Sequence, residues 1–215
     1  MRAAVLQEAR KPIEIFDDLE VIAPRAGEVR VRIKYCGLCH SDLGFLTGKS
    51  PLMGPQVPGH EASGIVDSLG AGVTHLAEGD HVILTPASPC GRCYYCQRKQ
   101  FSLCTDAMGI LSGTLPDGST GISRDGQQVY RGCGIGALAE YVTLPANGAV
   151  KIDKDIPLDV ACVIGCALQT GVGAVLNTAK IEAGATCVVL GLGGIGTATI
   201  QGARVAGAEV IIASD

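Results

Sequence analysis

The sequence predicts a mixed fold: a β-rich domain of short strands, followed by the opening β-α-β of an α/β domain. Three observations predict it. Val29-Arg30-Val31-Arg32-Ile33 alternates apolar and charged residues, the period-2 pattern of a half-buried strand. Glycine and proline turn signals break the first part of the chain into several such short runs. Towards the end, Gly191-Leu192-Gly193-Gly194-Ile195-Gly196 separates two β-prone runs, Cys187 to Leu190 and Glu209 to Ala213.

At 215 residues the chain can hold one large domain or one and a half ordinary ones, and its 47% hydrophobic content is ample for a core. The net charge of -4, without a Lys/Arg block, gives no support to a nucleic-acid or anionic-membrane footprint and favours small-molecule chemistry. Polar residues follow Met1-Arg2-Ala3-Ala4-Val5-Leu6 too early for a signal peptide, so a cytoplasmic location is expected. The uncharged runs Val160 to Ala179 and Ala183 to Ala203 are long enough to raise the question of a membrane span. Gln169, Thr170, Asn177 and Thr178 interrupt the first, and the second divides into strand, glycine turn and helix, so no span is expected.

Taken in order, Ala3 to Leu6 and Val29 to Ile33 read as strands, with Pro24 and Gly27 marking the turn between them. Ile65-Val66 and His81 to Leu84 continue the β character. Between the strands lie Cys39-His40-Ser41-Asp42 and Gly59-His60-Glu61. Cys39 and His60 are side chains that zinc prefers, and Asp42 and Glu61 can orient a ligating imidazole. A catalytic zinc takes three protein ligands and keeps a position open, which makes Cys166 the candidate third. Cys162 ranks below it, because the Gly165-Cys166 break allows a side chain to be aimed. Cys36, in a C-x-x-C pair with Cys39, reads as a buried thiol. His75 and His81 read as ordinary loop and strand residues.

Cys90, Cys93, Cys96 and Cys104 supply four thiolates on one loop, enough to close a tetrahedron around a structural zinc. The rival, an iron-sulfur cluster of ferredoxin type, places its fourth cysteine three residues on and follows it with Pro; here seven residues intervene and Thr105 follows. Asp106 to Cys133 reads as a loop excursion, Ala139 to Val142 as a returning strand, Lys151 to Pro157 as a connector and Asp159 to Thr178 as helical.

The glycine run follows a strand and opens a helix, the context of a dinucleotide-binding turn. Gly191 permits the tight turn, Gly193 lets the backbone approach a pyrophosphate and Gly196 allows close helix–strand packing. Asp215, 24 positions after Gly191, stands where an acid holds the ribose hydroxyls, which favours NAD over NADP.

On these residues the chain resembles the zinc-containing alcohol dehydrogenases of the medium-chain dehydrogenase/reductase family, over its whole length. The resemblance implies a GroES-like catalytic domain, residues 1–160, with a structural-zinc lobe at about 88–106, followed by a linking helix and the first part of a Rossmann NAD-binding domain, residues 161–215. It implies two zinc ions per chain, a catalytic one on Cys39, His60 and Cys166 and a structural one on Cys90, Cys93, Cys96 and Cys104. Ser41 would pass on the substrate proton, Glu61 and Asp42 would support the zinc shell, and His40, Gly194 and Ile195 would join Gly191, Gly193, Gly196 and Asp215 at the cofactor. Zinc would act as Lewis acid on the oxygen of an alcohol or aldehyde while NAD exchanges a hydride.

Gly44 stands where animal-type members carry the relay histidine, so the sequence leaves the proton route unassigned. Members of the family are also much longer than 215 residues, so the chain is expected to be an N-terminal piece, inactive by itself. A homodimer or homotetramer is expected of the longer form. Within the class, a formaldehyde-thiol adduct dehydrogenase or a nicotinoprotein is the alternative; outside it, an inactive zinc-stabilised binding module is.

Overall fold

The computed structural model describes residues 1–215, with the side chain of Met108 excepted. It divides into two compact units, Met1–Cys162 and Val163–Asp215.

The first unit is built on a five-stranded antiparallel sheet, ordered Tyr141–Pro145, Glu28–Gly37, Glu61–Leu69, His81–Leu84 and Ala149–Lys151. Alternation sets its faces. Val29 and Val31 are buried with Ala62, Val66, Val82, Leu84, Val142 and Leu144 in one core, while Arg30 and Arg32 point away from it. A second core gathers Ala3, Val5, Leu19, Val57, Ile122 and Val129.

Strand Glu28–Gly37 is longer than its alternating centre, because two register shifts, at Arg30/Val31 and Ile33/Tyr35, let it bend and continue as far as Gly37. That extension positions the site. Gly37 pairs with Glu61, so Cys39, two residues beyond the strand, arrives beside His60, one residue before the partner.

One region extends the sequence reading and another departs from it. The strand-like stretch before Lys34 also holds the short strands Glu14–Phe16 and Glu20–Val21. Asp106 to Cys133 is not a plain loop excursion: it holds the helical turns Thr105–Met108 and Gly109–Ser112 and a hairpin of Ile122–Arg124 with Gln127–Gln128. Asp125 and Gly126, both at positive φ (49° and 73°), form the two-residue turn that this hairpin needs. Buried Ile122 and Val129 then anchor the hairpin in the second core.

The second unit contains the parallel strands Thr186–Leu190 and Val210–Ser214, joined through helix Gly194–Val205. Helical pieces Ala167–Gly173 and Ala174–Ala179 pack on that helix at glycines: a Cβ on Gly171 would lie 2.6 Å from the Cβ of Ala198. Val175, Cys187, Val189 and Ala203 form the core. Among the described residues no single helix is long and apolar enough to cross a membrane.

Candidate functional site

Cys39 precedes helix His40–Thr47, and Asp42 sits in its first turn with its side chain turned inward. The Asp42 carboxylate is almost fully buried and is held on three sides. Oδ1 accepts the Gly59 N–H at 2.9 Å, Oδ2 accepts the Cys39 N–H at 3.3 Å, and His60 Nδ1 lies 3.2 Å from Oδ2 and 3.3 Å from Oδ1. Gly59 must be glycine here: its φ is +94°, and a Cβ would meet Cys36 Sγ and the Leu138 nitrogen at 2.8 Å.

With Nδ1 against a buried carboxylate, His60 has the arrangement in which an acid fixes the tautomer of a ligating histidine. Cys39, His60 and Glu61 offer ligand atoms all within 4.8 Å of one another. His60 and Glu61 are buried and Cys39 is half-buried. A thiolate, an imidazole and a carboxylate at this spacing fit zinc. Cys36 stands apart: burial, then the Asp42 charge, pushes its thiol up to about 12, which keeps it a protonated core thiol. Cys162 donates to the Asp159 carbonyl at 3.1 Å. An apolar pocket of about 360 Å³ opens beside Cys39 and His40, walled by Leu38, Leu43, Leu46 and Leu138.

Ser41 is exposed, its hydroxyl 3.7 Å from Cys39 Sγ, and His40 is exposed on the same helix. A Cβ on Gly44 would lie 2.8 Å from the Ser50 hydroxyl, which can rotate away. His75 Nε2 lies 3.3 Å from the Ala146 carbonyl and His81 occupies a strand, and among the described residues neither belongs to a donor cluster.

The second cluster is the lobe. All four sulfurs of Cys90, Cys93, Cys96 and Cys104 lie within 4.8 Å of one another, with Cys90–Cys96 and Cys93–Cys104 at 4.0 Å. Four zinc–sulfur bonds of about 2.3 Å make a tetrahedron with edges of about 3.8 Å, so the cage fits the ion. Backbone N–H groups of Cys90, Cys93 and Cys96 point at the sulfurs of Cys104, Cys90 and Cys93 at 3.3, 3.3 and 3.5 Å. The Cys96 and Thr105 N–H groups hold the Cys93 thiol down at about 6, while burial pushes Cys96 up to about 12. A cation at the centre is what makes all four thiolates compatible with such burial.

In the second unit, Cys166 precedes helix Ala167–Gly173 with φ −135° and ψ −77°, outside helical geometry, and its carbonyl accepts from both the backbone and the hydroxyl of Thr170. At the glycine turn, Gly191 has φ +93° and Gly196 is wedged, since a Cβ would stand 1.8 Å from the Gly191 carbonyl oxygen. A Cβ on Gly193 would meet nothing within 4 Å. Asp215 reaches the same turn, accepting the Leu192 N–H at 2.9 Å. Gly193 caps helix Gly194–Val205, which puts that helix's amino end, including Ile195, at the mouth of the turn.

Sequence reasoning missed Cys133. It offers a sulfur within 4.8 Å of ligand atoms of Asp42 and His60. No spacing motif announces it: it lies 73 positions after His60 and reaches the site through a left-handed turn at φ 48°.

A β domain with these two donor clusters, joined to a β-α-β unit with a glycine turn, is the architecture of the GroES-like half of a medium-chain dehydrogenase/reductase with the start of its nucleotide half. The chain belongs to the family described as Alcohol dehydrogenase GroES-like domain, which residues 25–154 match. It is 44% identical over 217 residues to alcohol dehydrogenase class-3 of Cereibacter sphaeroides, covering 100% of this chain and 57% of that protein. It is 42% identical to S-(hydroxymethyl)glutathione dehydrogenase of Paracoccus denitrificans, covering 58% of it. Among solved structures, benzyl alcohol dehydrogenase from Acinetobacter calcoaceticus superposes with a TM-score of 0.91 at 33% identity, over 100% of this chain and 58% of that one. The chain thus spans somewhat over half the length of the relatives it matches.

Proposed function

We propose that the protein carrying this chain is a zinc-dependent oxidoreductase that transfers a hydride between an alcohol or aldehyde and NAD. The observation that carries the reading is the register pairing Gly37 with Glu61, which delivers Cys39 to a His60 already oriented by Asp42. Cys39 and His60, with Cys166 from the second unit, would hold the catalytic zinc, and Glu61 would support that shell. Cys90, Cys93, Cys96 and Cys104 would hold the structural one. When bound, zinc polarises the substrate oxygen and NAD accepts or returns the hydride.

The remaining steps belong to the chain. Asp42 fixes the His60 tautomer, so that Nε2 stays a ligand. The Ser41 hydroxyl accepts the substrate proton as it releases its own, and its exposure lets that proton pass to solvent, since Gly44 offers no second side chain to relay it. Gly191, Gly193, Gly194, Ile195 and Gly196 would open a Rossmann turn to the pyrophosphate, Asp215 would take the ribose hydroxyls of NAD, and by the family resemblance His40 would also serve the cofactor. The boundary between catalytic and nucleotide domains falls near residue 160. A cytoplasmic enzyme that assembles as a dimer or tetramer fits this reading.

Two relatives, named alcohol dehydrogenase class-3 and S-(hydroxymethyl)glutathione dehydrogenase, favour a formaldehyde-thiol adduct as second substrate reading. Comparing turnover of that adduct with simple primary alcohols separates the two. The test of the chemistry is made in the longer protein: Cys39→Ala or His60→Ala abolishes turnover while NAD binding persists. Retained turnover removes the metal from the reaction. A metal count of about one per chain, instead of about two, would favour a zinc-stabilised binding module.

A further inference from the structure

His60 presents a second face to a second set of donors. Its Nδ1 stands 3.2 and 3.3 Å from the two oxygens of Asp42, at the long end of the N–H···O range and close enough for both groups to ligate one ion. Nitrogen and oxygen ligands about 2.0–2.1 Å from a tetrahedral zinc stand about 3.3 Å apart. The Cys133 sulfur completes the group, with all three ligand atoms within 4.8 Å of one another. A carboxylate, an imidazole and a thiol from chain positions 42, 60 and 133 thus converge in the interior of the first unit.

The turn that delivers Cys133 is firmly held. The Arg131 guanidinium, fully buried, donates from Nε to the Gly134 carbonyl at 3.1 Å and from Nη1 to the Thr120 carbonyl at 3.3 Å. A Cβ on Gly132 would lie 2.8 Å from the Cα of Pro58, so the turn is packed directly on the segment leading into His60.

We infer that Asp42, His60 and Cys133 form an alternative site for a thiophilic divalent cation, which competes with the Cys39 side for His60. The two sites share one imidazole. A cation on the Asp42 side takes that carboxylate from the Gly59 and Cys39 N–H groups and from its orienting role, so the alternative site is a misloaded, inactive state. Its functional consequence rests on the dehydrogenase reading, but its existence does not.

The probe is Cd²⁺ alone, titrated into the metal-stripped 215-residue chain, with bound metal counted by elemental analysis and thiolate-to-metal absorbance followed. Wild type binds about two ions per chain, one in the four-cysteine lobe. Cys39→Ala still binds about two, the second roughly tenfold or more weakly because a carboxylate replaces a soft thiolate. Cys39→Ala/Cys133→Ala binds about one, and a wild-type circular dichroism spectrum with a cooperative melt reports that this variant is folded. The serine pair Cys39→Ser and Cys39→Ser/Cys133→Ser repeats the comparison with smaller disturbance. Loss of the second ion in both single variants, or its survival in both double variants, overturns the inference while leaving a wild-type count of two, and with it the proposed function, standing. A wild-type count of about one sinks the two together.

Discussion

Asp42→Asn is the most direct probe of how the catalytic side is built. The native carboxylate accepts from two buried backbone donors, Gly59 N–H and Cys39 N–H, on different oxygens, and faces His60 Nδ1 with both. An amide replaces one acceptor with a donor, so whichever way it turns, one backbone N–H faces an NH₂ group. A buried donor left unsatisfied costs about 1–3 kcal/mol. No discount for solvent applies, because the Asp42 side chain is only 4% exposed. The metal-free variant is therefore expected to lose about 1–3 kcal/mol of unfolding free energy, read from the urea midpoint at unchanged slope. Loss of the group that orients a ligating histidine weakens metal affinity about 10–100-fold, equivalent to about 1.4–2.8 kcal/mol. Competition with a chelator measures that separately, with the four-cysteine lobe as internal reference. A metal-free stability within about 0.5 kcal/mol of wild type, together with zinc affinity within about twofold, refutes the account of Asp42 as the keystone of the Cys39–His60 pair.

Three further outcomes follow from the same geometry. Cys93→Ser removes one metal per chain and lowers the melting temperature, and a chelator reproduces the loss in wild type; an unchanged metal count after the substitution would contradict the four-sulfur cage. Gly196→Ala drives a Cβ to within 1.8 Å of the Gly191 carbonyl and is expected to cost about 1–3 kcal/mol or more, whereas Gly193→Ala, with nothing within 4 Å, melts as wild type but weakens NAD binding in the longer protein. The reverse order of melting temperatures would be fatal to that assignment of roles. Asp117, held down at about 2 by the Ser119 hydroxyl and then by Arg25, lies below its unfolded value of about 3.9, so its contribution is present above about pH 4 and lost as pH falls through about 2. Both members of the Arg25–Asp117 pair are nearly half exposed, so the effect at neutral pH is under about 1 kcal/mol, and Asp117→Asn should flatten only the acid limb of the stability–pH curve.

What was legible in the sequence is what depends on short spacing or on a strict period. The lobe is written within fifteen positions, since a tight loop with Gly91 and Lys99 at positive φ and the backbone N–H groups of Cys93 and Cys96 faces its sulfurs inward. The glycine turn is equally local: Gly191 and Gly196 are forced by φ and by a 1.8 Å approach, and both constraints lie within six residues. Val29 to Ile33 announced its strand by alternation, but not its length, because the register shifts at Arg30/Val31 and Ile33/Tyr35 interrupt the period that continuation to Gly37 would show. The hairpin at Asp125-Gly126 carried its turn signal in plain view, yet its strands are polar and only Ile122 and Val129 are buried, so no hydrophobic alternation flanked the signal.

Cys133 marks the limit more sharply, because its proximity to His60 depends on neither period nor spacing. Its place is set by a left-handed turn, by glycines at 132 and 134 that admit the approach of Pro58 and Gly109, and by a buried arginine whose hydrogen bonds all go to backbone carbonyls. Each of these is a tertiary constraint that a linear pattern cannot carry. The donors that the motifs named are held by register and helix cap, and they form the side of His60 that chemistry would use. The donor that no motif names is held by packing, and it forms the other side. A substitution in the Gly132-Cys133-Gly134 turn should therefore alter which face of one imidazole a cation occupies, without touching any residue that the sequence marks as a ligand.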